Sequence, residues 1–335
     1  MLVNSSILVT GASGFIGIPL CNYLVSLNFN VIAVVRSSSS LSRLHDRVYI
    51  VHVSDINAVT DWSALFQVSD KFSFVFGDVV DCVVHCAGRA HVLSETQSEF
   101  DNLYYDINAG STALLARQAA AFGVKRFVFL SSIGVNGSSS SLEMPFTSFD
   151  VPSPDTAYSI SKLEAELALK SICAKSDMDF VIVRPPLVYG PFAKGNFQRI
   201  IDIVSSGLPL PFGSINNLRS LISVDNIVEF IALCISHPSA PGNVFLVSDG
   251  RDISSACLFR LLSRYIKSSS FVFSLPRWLL RLLFVIMHKY PEYLKLTSSL
   301  VVDDSQARLK LGWSPQYSLE VGLKRAVNSS IDSGC

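Results

Sequence analysis

The run Ile7-Leu8-Val9-Thr10-Gly11-Ala12-Ser13-Gly14-Phe15-Ile16-Gly17 constrains the fold of this chain more than any other stretch. Its apolar, β-branched opening predicts a short buried strand, and the apolar periodicity of Ile18 to Leu27 predicts a helix. Between them stand three glycines at a spacing of three. A strand, a glycine turn and a helix bring backbone N–H groups and a positive helix end together where a pyrophosphate can sit, provided no side chain holds it off. The spacing is GxxGxxG, a variant of the common GxGxxG dinucleotide fingerprint.

The same rhythm continues downstream. Val31 to Val35, Val48 to Val53, Cys82 to Cys86, Phe127 to Leu130 and Phe180 to Val183 are short apolar strands, and Asn108 to Phe122 and Ala157 to Ala174 have helical spacing. Buried strands alternating with helices predict an α/β fold, a doubly wound parallel (Rossmann) sheet with its ligand crevice at the strand ends. After Arg184-Pro185-Pro186 the elements become less regular. This divides the chain into a dinucleotide-binding domain over 1–188 and a smaller mixed α/β lobe over 189–335. Leu221 to Val224 and Val244 to Val247 are again strand-like and are expected to return to the sheet, interleaving the two.

Bulk charge excludes one class of partner: 27 Lys and Arg balance 27 Asp and Glu, so nothing favours nucleic acid. The seven cysteines are scattered, as in a reducing compartment, and Cys82 with Cys86 lies in an apolar strand without a second ligand pair, so no metal is expected. No apolar run approaches the ~20 residues of a spanning helix, and no charged segment precedes the first strand, so the reading is cytoplasmic. Trp278 to Met287 is short and contains Arg281; it reads as a helix packed in the second lobe, ahead of a helix on a membrane surface with Arg277, Arg281 and Lys289 snorkelling.

Tyr158-Ser159-Ile160-Ser161-Lys162 puts a phenol and an ammonium on one helix face. A nearby cation is expected to lower the phenol from its usual pKa of about 10 and make it an acid/base near neutrality. Ser132, at the end of a strand, is placed to hydrogen-bond the same substrate oxygen. The bland alternative for the Tyr/Lys pair is a solvated helix face.

Together these pieces resemble the extended short-chain dehydrogenase/reductases over nearly the whole chain. The resemblance implies that Gly11, Ser13, Gly14, Phe15, Ile16 and Gly17 cradle an NAD(P)(H) cofactor, that Asp55 and Ile56 contact its adenine, and that Ala87 and Gly88 face it. It makes Asn108 a structural asparagine beside the cofactor, Ser132, Tyr158 and Lys162 the catalytic residues, and Pro185 part of a stretch that passes the nicotinamide. The second lobe is similar to that of UDP-sugar 4-epimerases and 4-ketoreductases. Asn196 and Phe197 would contact diphosphate and uridine, Leu210 and Phe212 would lie beside the uracil, and Arg219 would clamp the pyrophosphate. Trp313, with Gly312 and Pro315, resembles the family's structural closing turn.

Two departures narrow the activity. The family's 4,6-dehydratases carry an Asp-Glu pair after the catalytic hydroxyl residue, where this chain has Ile133-Gly134, which disfavours dehydration. Val35-Arg36 replaces the acid that would accept from the adenosine ribose, which leans toward NADP(H), although an arginine also stacks on adenine. The expected function is reduction at C4 of a UDP-sugar, UDP-4-keto-6-deoxy-N-acetylglucosamine giving UDP-N-acetylquinovosamine for O-antigen synthesis. The alternatives are a 4-epimerase of UDP-glucose or UDP-N-acetylglucosamine, and a non-catalytic dinucleotide sensor. A homodimer through the Asn108 and Tyr158 helices is implied by the resemblance.

Overall fold

The computed structural model describes residues 5–37, 39–54, 56–57, 59–66, 80–89, 103–193 and 195–332. Asp55 lies outside the described residues. The chain opens with β1 (Ser6–Thr10), α1 (Gly17–Ser26), β2 (Asn30–Arg36), β3 (Tyr49–Val53), α2 (Ser63–Phe66) and β4 (Cys82–His85). It continues with a π-helical turn (Tyr105–Gly110), α3 (Ser111–Ala121), β5 (Arg126–Leu130), α4 (Ala157–Cys173), β6 (Asp179–Arg184), β7 (Leu187–Tyr189) and α5 (Asn196–Ser205). The remainder is β8 (Leu221–Ser223), α6 (Val224–Ser236), β9 (Asn243–Leu246), α7 (Ser255–Ile266), α8 (Arg277–Ile286), α9 (Tyr290–Thr297), α10 (Ser305–Leu311) and α11 (Leu319–Asp332).

Seven strands form one parallel sheet in the order β3-β2-β1-β4-β5-β6-β9, a Rossmann-like α/β fold. Alternate strand residues feed two core layers, as the two-residue period of a strand demands. Ile7 and Val9 pack with Leu20 and Leu24 of α1 and with Ile227 and Ile231 of α6. Leu8, Phe127 and Phe129 pack with Leu115 of α3 and Ala165 and Leu169 of α4. Covered on both faces, the central strands need apolar residues at every position, which is why they read as continuous runs.

One expectation is corrected here. Leu221–Ser223 does not return to the main sheet; it pairs with Leu187–Tyr189 in a separate two-stranded sheet, whereas Asn243–Leu246 does join, beside β6. Helix α8 packs along one side, where Leu280 is buried against Ile215 and Tyr293 and Phe284 leans on the same cluster, and leaves its other side exposed. Gly312, at φ 61°, closes α10 and delivers Trp313 edge-on to Phe230 at 5.0 Å, as the closing turn requires. Among the described residues no helix is long and apolar enough to cross a membrane.

Candidate active site

The glycine turn after β1 is built by close approach. A Cβ on Gly11, whose φ is +67°, would lie 2.7 Å from the backbone nitrogen of Ala87, and one on Gly17 would fall on the carbonyl oxygen of Gly11. For these two glycines protein packing by itself already demands the absence of a side chain. Gly14 is the exposed member, facing only the Gly11 carbonyl. Helix α1 begins just beyond it, at Gly17, with Ile16 at the N-cap position, no side-chain cap and no acid in its first turn. A helix start whose orphan N–H groups have no side-chain acceptor fits an anionic pyrophosphate. Phe15 and Ile16 pack partly against the core, and the Ser13 hydroxyl donates to that of Ser39, 3.0 Å away, beyond exposed Arg36.

The end of β4 lies beside this turn. Asn108, in the π-helical turn, accepts from the Arg89 backbone N–H at 2.8 Å, and its amide donates to the Arg89 carbonyl and to Ser161 Oγ. It thus ties the Ala87-Gly88 loop to α4. A Cβ on Gly88 would sit 3.1 Å from Lys162 Nζ and 3.2 Å from Asn108 Oδ1, so this loop borders the Tyr/Lys helix. Ile56 is half-buried after β3 and packs against the second core layer.

Sequence reasoning missed His85, which is fully buried on β4 opposite Thr10 of β1. Thr112 Oγ1 donates to the Asn108 carbonyl at 2.5 Å, so it accepts from His85 Nε2–H at 3.0 Å. Nδ1 is then left to accept from Thr10 Oγ1 at 2.6 Å, and that hydroxyl accepts from Ala87 N–H at 3.4 Å. One directional chain therefore runs from the Ala87 turn to the Asn108 turn. Burial, helped by the Lys162 charge, draws the imidazole down to about 3, so it stays neutral. The available signal was one imidazole in an otherwise apolar strand.

The three candidate catalytic residues stand just past β5 (Ser132) and on α4 (Tyr158 and Lys162). Ser132 closes β5, takes an N–H from Gly134 at 3.2 Å and hydrogen-bonds Tyr158. Thr156 caps α4 through Ser159 N–H, setting Tyr158 in its first turn. Burial pushes the phenol up to about 12, against the hydrogen bond from Ser132. The expected lowering by Lys162 is corrected: its ammonium donates to the Leu130 carbonyl at 3.0 Å and lies 4.6 Å above the Phe129 ring. Burial draws Lys162 itself down to about 8, with Cys86 and Glu166 pulling the other way.

Behind the trio, Arg184 forks onto Glu166 at 2.9 and 2.6 Å and donates to Asn136 Oδ1, and Ser131 donates to Glu166 at 2.5 Å. This buried pair joins β5, β6 and α4, and Pro185 follows it, its carbonyl accepting from Ile133 N–H at 3.0 Å. A side chain on Gly134 would strike the Ser159 hydroxyl, a steric reason why no acidic pair follows Ser132.

The second-lobe candidates separate. Asn196 is exposed at the first residue of α5. Phe197 is 1% exposed and 5.5 Å from the Tyr189 ring, so its side chain is core and the expected uridine contact is corrected. Leu210 is buried, its backbone bridged to Phe271 and Phe273, and half-buried Phe212 leans on Phe259 at 4.9 Å. Arg219 is half-buried and donates to the carbonyls of Lys295 and Ser298 at the end of α9, so this donor nitrogen is already engaged within the protein. Asp249, shortly after β9, is structural: it accepts from Tyr189, Ser223 and Asn226.

The profile of the NAD dependent epimerase/dehydratase family matches residues 7–248. A UDP-glucose 4-epimerase of Vibrio cholerae is 40% identical over 329 residues, 98% of this chain and 96% of that protein. An N-acetyl-alpha-D-glucosaminyl-diphospho-ditrans,octacis-undecaprenol 4-epimerase of Escherichia coli is 27% identical over 75% of this chain and 70% of its own. The solved UDP-glucose 4-epimerase of Thermotoga maritima, with UDP-glucose, shares the fold at a TM-score of 0.77 and 23% identity, covering 98% of this chain and 100% of that one.

Proposed function

The chain belongs to the NAD-dependent epimerase/dehydratase family, and from that premise we propose that it is a UDP-sugar 4-epimerase, acting on a UDP-hexose or UDP-N-acetylhexosamine. The observation that carries this reading is the 40% identity, over 98% of the chain, to a UDP-glucose 4-epimerase. It moves epimerisation ahead of 4-keto-sugar reduction. The ketoreductase remains the second reading because Arg36, not an acid, ends β2, which suits a cofactor that exchanges at every turnover.

The Gly11–Gly17 turn and the uncapped start of α1 would hold the cofactor pyrophosphate, with Ala87 and Gly88 alongside and Lys162 toward the nicotinamide ribose. Bound NAD would supply hydride acceptor and donor chemistry at C4. Tyr158 is the proton-carrying group: its phenol passes a proton to or from the C4 oxygen, and Ser132, bonded to that phenol, orients the same oxygen. A phenol held near 12 is a ready donor, whereas its use as a base requires an added positive charge nearby. Asn196, at the open start of α5, is the proposed second-lobe contact for the diphosphate. Exposed Tyr105, Ile160 and Leu167 support a homodimer through the π-helical turn and α4.

The deciding experiment incubates purified protein with UDP-glucose and with UDP-N-acetylglucosamine without added nucleotide and follows the C4 epimers. Interconversion is expected. Consumption of reduced cofactor on the 4-keto-6-deoxy sugar, with neither UDP-sugar interconverted, would establish the ketoreductase instead; inactivity on all three would leave the sensor.

A further inference from the structure

The strip Phe271–Leu275 and helix α8 that follows it carry apolar side chains left largely uncovered. Trp278 is 68% exposed, Ile286 65%, Phe271 58%, Val285 48% and Leu282 47%. At 3.6 residues per turn, Val285, Trp278, Leu282 and Ile286 fall within an arc of about 100°. Leu280 and Phe284 lie on the opposite side, turned to Ile215 and Tyr293. Single exposed apolar residues are ordinary, but a continuous apolar helix face is a contact surface.

The charge around this face is one-sided. Residues 253–291 hold six Lys and Arg and no Asp or Glu, in a chain with 27 of each sign. Arg277 and Arg281 sit at the edge between the buried and exposed faces of α8, with Arg281 over the Tyr290 ring at 5.5 Å, and Lys289 follows the helix. Arg260, Arg264 and Lys267 line a groove with Ser268, Ser270 and Phe271 at the end of α7. An apolar helix face whose own flanking charges, Arg277, Arg281 and Lys289, are all cationic complements an anionic, amphiphilic surface, with Glu292 of α9 the nearest acid in sequence. A second copy meeting it face to face would set like charges against each other.

We propose that this face docks the protein on an anionic phospholipid bilayer. Helix α8 lies in the interface, with Trp278, Leu282, Val285 and Ile286 toward the acyl chains and Arg277, Arg281 and Lys289 at the phosphates. It does not span: ten helical residues reach about 15 Å, half the ~30 Å hydrocarbon core. The inference is independent of the C4 chemistry, since none of these residues belongs to the catalytic trio or the glycine turn.

The chain supplies its own reporter, because Trp62 and Trp313 are buried and Trp278 is the exposed tryptophan. The test mixes the full chain with vesicles of phosphatidylcholine plus phosphatidylglycerol, or of phosphatidylcholine alone, and measures cosedimentation and tryptophan emission. The anionic vesicles are expected to sediment the protein and blue-shift its emission, with both effects weakened by salt. Arg277→Gln and Arg281→Gln are each expected to weaken binding about fivefold. Leu282→Glu with Ile286→Glu should abolish it while leaving turnover of soluble UDP-sugar and the thermal midpoint unchanged. Wild-type protein that stays in the supernatant, a double variant that still sediments, or sedimentation without a blue shift would overturn the proposal. A double variant that turns a wild-type dimer into a monomer would also overturn it, assigning the face to a second copy.

Discussion

Acid should reveal His85. The imidazole is fully buried between Thr10 and Thr112 and is drawn down from 6.5 to about 3, chiefly by burial. The unfolded chain therefore takes up a proton near pH 6.5 that the folded chain refuses until about pH 3. A group depressed in this way contributes stability that is present above 6.5 and lost as pH falls toward 3. Integrated from pH 7 to pH 4, the loss is about 3 kcal/mol, at 1.36 kcal/mol for each unit separating the two states. Other groups titrate over the same range, so the measurement is a difference. Urea unfolding followed by circular dichroism is run at both pH values on wild type and on His85→Gln, which keeps an amide to hydrogen-bond the threonines and removes the titration. The wild type should lose about 3 kcal/mol more than the variant between pH 7 and pH 4. Equal losses would refute a buried neutral histidine linking the two turns.

Tyr158→Phe should fold and bind cofactor but lose kcat by about 10²–10⁴-fold, the range for removal of a positioned acid/base; near-wild-type turnover would refute its role. Glu166→Gln leaves the Arg184 guanidinium buried without its counter-charge and should cost about 3–5 kcal/mol in urea unfolding, and a loss well under ~1 kcal/mol would mean the pair is dispensable. Arg36→Ala should weaken NADPH more than NADH, by on the order of 1.5–3 kcal/mol, if the guanidinium meets a 2'-phosphate; equal loss in titrations of the two would leave adenine stacking.

The sheet was legible because its central strands are covered on both faces and so are apolar at every position; β1, β5 and β6 lie within a residue or two of their apolar runs. The three-residue β8 was assigned to the wrong sheet, since a short apolar run carries no record of its partner. The candidate residues Ser132, Tyr158 and Lys162 could be placed on a strand end and a helix from the sequence, but not as an electrostatic arrangement. Helical spacing puts Lys162 on the face of Tyr158, yet only the fold shows the ammonium committed to the Leu130 carbonyl. Phe197 failed for a related reason: a motif position does not say whether a ring faces the crevice or the core. His85 and the Glu166–Arg184 pair escaped because their partners are distant in sequence, 75 residues in the case of Thr10.

The charges behind the three candidate residues bear on how the Tyr158 phenol is held in its neutral form. Tyr158 near 12 and Lys162 near 8 are both moved toward their neutral forms, and burial is the leading cause in each. Glu166 opposes this for Lys162, but its carboxylate is already committed to Arg184 and Ser131. Among the described residues the Arg184–Glu166 pair is closed on itself while the buried Lys162 ammonium has the Leu130 carbonyl, and a positive charge arriving in such low-dielectric surroundings acts with little screening. Each unit by which the phenol is lowered needs 1.36 kcal/mol, so bringing Tyr158 from about 12 to near 7 asks for about 7 kcal/mol. Lys162 on the Leu130 carbonyl does not supply that in the arrangement seen; a bound oxidised cofactor would bring a positive ring to this site. On the proposed 4-epimerase reading, Tyr158 would act as the proton donor in the arrangement seen and as the base only with added positive charge beside it.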